Sequence, residues 1–138
     1  MPYYPLKIVQ IIQETPDARS FVFDIPQDVA DRFRYKAGQF LTFRVVHPEG
    51  EVARCYSLSS SPETDARPKV TVKRVTGGRG SNWFNDALLE GGTIEVMPPA
   101  GRFVLPRRLH RAVLRLLRPT ESAARRLLGV AARDVGVV

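Results

Sequence analysis

From Arg19 to Ile25 the chain alternates: Phe21, Phe23 and Ile25 fall on one face, Val22 and Asp24 on the other. That two-residue period belongs to a strand with one buried side. The pattern recurs from Phe40 to Val46, where Leu41, Phe43 and Val45 share a face, and from Lys69 to Val75, where Val70 and Val72 point inward. Leu6 to Gln13 and Val52 to Leu58 read as further strands. Thr93 to Met97 reads as a strand broken by Pro98-Pro99, and Arg102 to Leu105 as the last. Gln27 to Phe33 is expected to form a short helix, with Val29 and Phe33 four residues apart. One further helix is expected with Ser81 as its N-cap. Trp83, Phe84, Ala87 and Leu88 are spaced to cover one of its faces, and Gly91-Gly92 stops it. These short strands, the turn signals between them and one short capping helix predict an all-β fold, a closed six-stranded antiparallel barrel.

Beyond Pro106 the pattern changes, which predicts two regions: a barrel domain over 1–106 and a tail over 107–138. The net charge of +7 belongs almost wholly to the tail. Residues 1–106 carry 13 Lys and Arg against 12 Asp and Glu, whereas 107–138 carry eight Arg against Glu121 and Asp134. A nearly neutral body gives no reason to expect a nucleic-acid partner. The tail reads as two basic helices separated by Pro119, or as a disordered segment. Arg108, Arg111, Arg115 and Arg118 make a stripe at helical spacing in the first. Three readings of the tail stand: a truncated or frame-shifted end, which the Arg-, Ala- and Leu-rich composition favours; a basic amphipathic segment for an acidic partner or a membrane surface; or a segment packed on the barrel.

With 43% apolar residues the body can build a core, and no apolar run is long enough to span a bilayer. The N-terminus lacks the basic and apolar regions of a signal peptide, so a cytoplasmic location is expected. A single cysteine, Cys55, excludes an internal disulfide and a four-thiolate iron–sulfur cluster. His47 and His110 have no cysteine partners for a zinc site, and no metal is expected. Alternation sends Cys55 to the face opposite Arg54 and Tyr56, as a small packer.

The chemistry concentrates in Arg54-Cys55-Tyr56-Ser57-Leu58-Ser59-Ser60-Ser61-Pro62. Arg54 offers a planar fork of donors suited to a pyrophosphate. Tyr56 offers a flat face for stacking on a conjugated ring, and Ser57 a hydroxyl that donates or accepts beside it. A second anion-binding arrangement is the glycine-rich run Gly77-Gly78-Arg79-Gly80-Ser81 ahead of a helix. Two anion donors favour a diphosphate, and so FAD over FMN.

These stretches resemble the FAD-binding domain of the ferredoxin–NADP reductase-like superfamily, closest to reductase components of multicomponent oxygenases such as those for phenylacetyl-CoA and ketosteroids. The resemblance runs from Pro5 to Leu105 and includes Ala37-Gly38-Gln39-Phe40, Val72-Lys73-Arg74-Val75, Gly77 to Trp83 and Pro99-Ala100-Gly101-Arg102-Phe103, in the family's order and spacing. It implies a six-stranded Greek-key barrel that binds FAD. Arg54 and the segment Gly78, Arg79, Gly80, Ser81 and Asn82 would hold the pyrophosphate. Val72, Lys73 and Val75 would act mainly through their backbone along the ribityl chain and ring edge. Tyr56 would stack on the ring or its ribityl chain, Ser57 would hydrogen-bond near N5, and Leu58 would also contact the cofactor; Tyr56 and Ser57 are the residues closest to the chemistry. The family passes a hydride from NAD(P)H to the flavin and single electrons on to an oxygenase or iron–sulfur acceptor. Its nucleotide-binding turn has no counterpart in 107–138, so this chain is expected to be an incomplete reductase. The other function class is a non-catalytic barrel that uses its basic tail to bind an acidic partner or a membrane surface.

Overall fold

The computed structural model describes residues 2–102. Six strands form one antiparallel sheet: β1 (Tyr4–Thr15), β2 (Ala18–Asp24), β3 (Phe40–His47), β4 (Gly50–Ser57), β5 (Lys69–Lys73) and β6 (Thr93–Ala100). Their spatial order is β4-β3-β6-β1-β2-β5, so β5 crosses over to pair with β2 and β6 inserts between β3 and β1. The 12-residue β1 serves two partners. Tyr4 to Lys7 pairs with β6 and Lys7 to Thr15 with β2, and two register shifts bend the strand between Ile8 and Thr15. The curl brings the sheet's ends together at a single bridge, Leu58 to Val70. The result is the expected Greek-key barrel, partly closed.

The predicted inward positions are the core. Phe21, Phe23, Leu41, Phe43, Val45, Val70 and Val72 are all fully buried. Two elements differ from expectation. β6 runs through Pro98-Pro99 to Ala100 instead of breaking. Proline lacks the amide for a ladder bond and is tolerated at a bulge. The β3–β6 register does shift between Phe40 and Thr42, opposite these prolines. β5 ends at Lys73, short of the expected Val75, because the Val75 carbonyl turns to accept the Gly78 amide (2.8 Å). Gln27–Phe33 is a 3-10 helix. It buries Phe33, whose ring meets Tyr4 edge-on at 5.8 Å.

The α-helix α1 (Arg79–Ala87) caps one end of the barrel. Phe84 is its plug, with its ring 5.0 Å from both Phe43 and Tyr56 and 5.3 Å from Phe21, each nearly perpendicular. The buried face is Ser81, Phe84, Asn85 and Leu88, while Ala87, expected inward, is exposed. Asn85 takes that place because its side-chain amide donates to the Val72 carbonyl (3.2 Å), tying α1 to β5. Arg102 lies in a bend at the boundary. The rest of the expected last strand, 103–105, and both tail helices fall outside the described residues.

Candidate functional site

The β4 ladder sets the alternation of the principal motif. Arg54 stands opposite Phe43, Cys55 opposite Thr42, Tyr56 opposite Leu41 and Ser57 opposite Phe40. Cys55 therefore leaves on the other face, half-buried, with its sulfur 3.2 Å from Thr42 Oγ1. Tyr56 enters the barrel and is fully buried, its ring enclosed by Phe43 and Phe84. The Tyr56 hydroxyl lies beside Gly80 at the start of α1. Ser57 is 5% exposed. Leu58 packs in the core, and its amide donates to the Gln39 carbonyl (2.8 Å).

The glycine-rich run folds back onto that strand. Gly77 has φ of 74°, a left-handed conformation open to glycine. Gly78, not Ser81, is the N-cap of α1, and no side chain caps it. The first turn carries no acidic residue either. Its leading amides, which have no acceptor within the helix, therefore meet neither a capping side chain nor an acidic neighbour in the turn. Ser81 sits inside α1, where its hydroxyl accepts the Val75 amide at 3.0 Å. The Asn82 side chain donates to the Val75 carbonyl (3.1 Å) and accepts from Arg74 Nη1 (3.4 Å). Ser81, Asn82 and Val75 thus hold the glycine turn in shape. Arg74 also pairs with Asp86, and that hydrogen bond holds the Asp86 carboxyl below its ordinary range.

Gly80 joins the two motifs. A methyl group added to it would lie 2.6 Å from Arg54 Cγ and 2.9 Å from the Tyr56 hydroxyl oxygen. Only a residue without a side chain lets the start of α1 approach β4 this closely. Arg54 donates through Nη1 to the Ala53 carbonyl (2.9 Å), whereas its buried Nε finds no hydrogen-bond partner among the described residues. A buried guanidinium donor without an acceptor costs free energy unless an acceptor arrives. The uncapped helix start beside it is a place where an anion would satisfy both. The residues present therefore fit a diphosphate.

The remaining predicted residues lie around this cleft. Val72 is core and offers its backbone, with its carbonyl already taking the Asn85 amide. Lys73 leans toward Asp17 at 4.0 Å. Arg79 extends to Glu49 at the tip of the β3–β4 hairpin (3.0 Å), an exposed pair of small energetic weight. Sequence reasoning missed Asn85 and Gln39. Asn85 left a signal, since it stands four residues after Ser81 on the buried face.

Such a barrel, with an arginine and an open helix start converging at one end, is built to receive a dinucleotide. The chain belongs to the oxidoreductase FAD-binding domain family, whose model matches residues 5–105. It is 54% identical over 99 residues to the ferredoxin reductase component of 3-ketosteroid-9-alpha-monooxygenase from Rhodococcus rhodochrous, a match covering 71% of this chain and 28% of the relative. It is 42% identical over 98 residues to the reductase component of glycine betaine monooxygenase from Pseudomonas aeruginosa, covering 71% of this chain and 26% of the relative. Among solved structures, phthalate dioxygenase reductase superposes with a TM-score of 0.59 at 32% identity, over 77% of this chain and 32% of that one. The chain thus spans less than a third of these relatives, and the match lies on their FAD-binding domain.

Proposed function

We propose that Arg54 and the segment Gly78 to Asn82, through the amides of Arg79, Gly80 and Ser81 at the start of α1, hold the FAD diphosphate, while Ser57, Leu58 and the backbone of Val72, Lys73 and Val75 line the flavin ring and its ribityl chain. The observation that carries this reading is the contact of Gly80 with Arg54 and Tyr56, which leaves the Arg54 Nε donor buried and unsatisfied at an uncapped helix start. Tyr56 contributes through its hydroxyl edge. Bound FAD supplies two-electron acceptance and one-electron release. The chain's part is to grip the phosphates, orient the ring and exclude water from the barrel side. The wider role is that of an oxygenase reductase component, cytoplasmic, passing electrons from NAD(P)H to an oxygenase or iron–sulfur acceptor. We assign 1–106 to the barrel domain and 107–138 to a separate tail.

Reconstitution with FAD and with FMN, followed by fluorescence quenching, tests the assignment. Tighter binding of FAD is expected. Equal or tighter FMN binding would remove the diphosphate argument, and binding of neither would remove the flavin.

A further inference from the structure

Strands β4 and β5 are the two free edges of the curled sheet, and the ladder between them shrinks to the single Leu58–Val70 bridge. Beyond that bridge, side-chain hydroxyls take over. Ser59 Oγ lies 2.9 Å from Thr71 Oγ1, Thr71 Oγ1 lies 2.7 Å from Ser20 Oγ, and Ser20 Oγ lies 3.2 Å from Glu14 Oε1. Ser59, Thr71 and Ser20 are at most 2% exposed. They form a buried line on the outer side of the barrel wall, opposite Val70 and Val72.

The direction of this line follows from counting hydrogens. An ionised carboxylate only accepts, so Ser20 donates to Glu14. Its one hydrogen is then spent, so Thr71 donates to Ser20. Thr71 has nothing left for Ser59, so Ser59 donates to Thr71. The Lys69 carbonyl, which accepts the Ser59 amide at 2.8 Å, is a second acceptor within reach of Ser59 Oγ at 3.3 Å, but the Thr71 contact is shorter at 2.9 Å and takes the hydrogen. Every hydroxyl thus points toward β1, and the carboxylate of Glu14 fixes the sense of the whole chain. Next along, Ser60 Oγ accepts the Lys69 amide (2.9 Å) and pairs with the Tyr35 hydroxyl (2.8 Å). The motif's trailing serines therefore face the fold, not the cleft.

We propose that the Ser59–Thr71–Ser20–Glu14 chain is a positioning device that fixes the spacing of β4 and β5 across the seam that holds the flavin ring. This rests on the FAD reading above, since Ser57 and the Val72 backbone border that seam from its two sides. Thr71 and Glu14 touch no cofactor; they act through the strands.

The test compares the full 138-residue protein with Thr71→Val, which keeps shape and loses the hydroxyl, and with Thr71→Ser, which keeps the hydroxyl. FAD and riboflavin are titrated against each. Thr71→Val is expected to weaken both by the same factor, about tenfold, and to shift the absorption band of bound flavin; Thr71→Ser restores both properties. The equal loss separates a ring-side effect from a phosphate-side one. Should Thr71→Val fail to fold, Ser20→Ala breaks the same chain at a smaller residue. Unchanged affinity for both flavins in a variant with a lowered Tm would overturn the proposal, because the hydroxyls would then serve stability alone. If the wild-type protein binds neither flavin, the FAD reading falls separately. Amide exchange in the ligand-free chain then decides: faster exchange at Leu58 and Ser59 in Thr71→Val supports the pinned seam, and unchanged exchange overturns it.

Discussion

Replacing Gly80 with alanine puts a methyl group against Arg54 Cγ and the buried Tyr56 hydroxyl. Alanine is the better helix former by about 1 kcal/mol, yet overpacking costs about 1–3 kcal/mol. Tyr56 is locked by Phe43 and Phe84, so the freer Arg54 is the group that shifts. Gly80→Ala is therefore expected to weaken FAD binding severalfold more than a Tm change of a few degrees would suggest; thermal melts and FAD titration together check this, and an unchanged FAD affinity would contradict it. A second residue reads out pH. Burial pushes the Tyr35 phenol up to about 12 from 10.0, against the lowering effect of its Ser60 hydrogen bond. The neutral form is the one the fold favours. Its contribution to stability is complete below pH 10 and is lost as pH rises from 10 through about 12. Melts across that range should show a steeper alkaline fall in the wild-type protein than in Tyr35→Phe. At this scale residue types were legible in the sequence, for arginine, tyrosine and serine at one strand end speak of their chemistry. Orientation was not: the alternation that put Tyr56 beside Arg54 also drove its ring into the core, and nothing local says that Phe84 would arrive from 28 residues away to enclose it.

Among the elements, β2, β3 and β5 were readable because each has one apolar face and a two-residue period. β6 was misread at Pro98-Pro99, where the strand itself bulges against β3, three steps from Met97 to Ala100 facing two from Phe40 to Thr42, and so accommodates the missing amides. α1 was misread at its start, because Ser81 is a good capping residue that the Val75 amide claims from inside the helix. Ala87 and Asn85 exchanged faces because a buried amide that satisfies a strand carbonyl outweighs a small apolar side chain. Asn85→Ala removes the donor to the Val72 carbonyl and is expected to cost about 1–3 kcal/mol. At about 4–8 °C per kcal/mol for a domain of this size, the Tm should fall clearly. A Tm within a degree of wild type would show that the α1–β5 tie is dispensable.

At the scale of the whole molecule, the described residues form one barrel with one candidate cradle, and the chain spans 28% of the ketosteroid monooxygenase reductase component that it resembles. Hydride transfer requires the nicotinamide held about 3–3.5 Å from the flavin. Among the described residues, the cradle at Arg54 and Gly80 is the one we propose for the FAD diphosphate. The FAD-loaded protein is thus expected to be reduced by dithionite or light, but only slowly and without saturation by NADH or NADPH. Fast, saturable reduction in stopped flow would show a nicotinamide grip elsewhere in the chain.

The central claim is that Arg54 and the start of α1 grip a diphosphate, and the Arg54→Ala variant tests it most directly when FAD and riboflavin are titrated side by side. A charge-assisted contact is worth about 1.5–3 kcal/mol, so FAD should weaken by about ten- to hundredfold. Riboflavin, which carries no phosphate, should bind the variant as it binds the wild-type protein. Equal losses for the two ligands would show that Arg54 supports the barrel instead of gripping the cofactor.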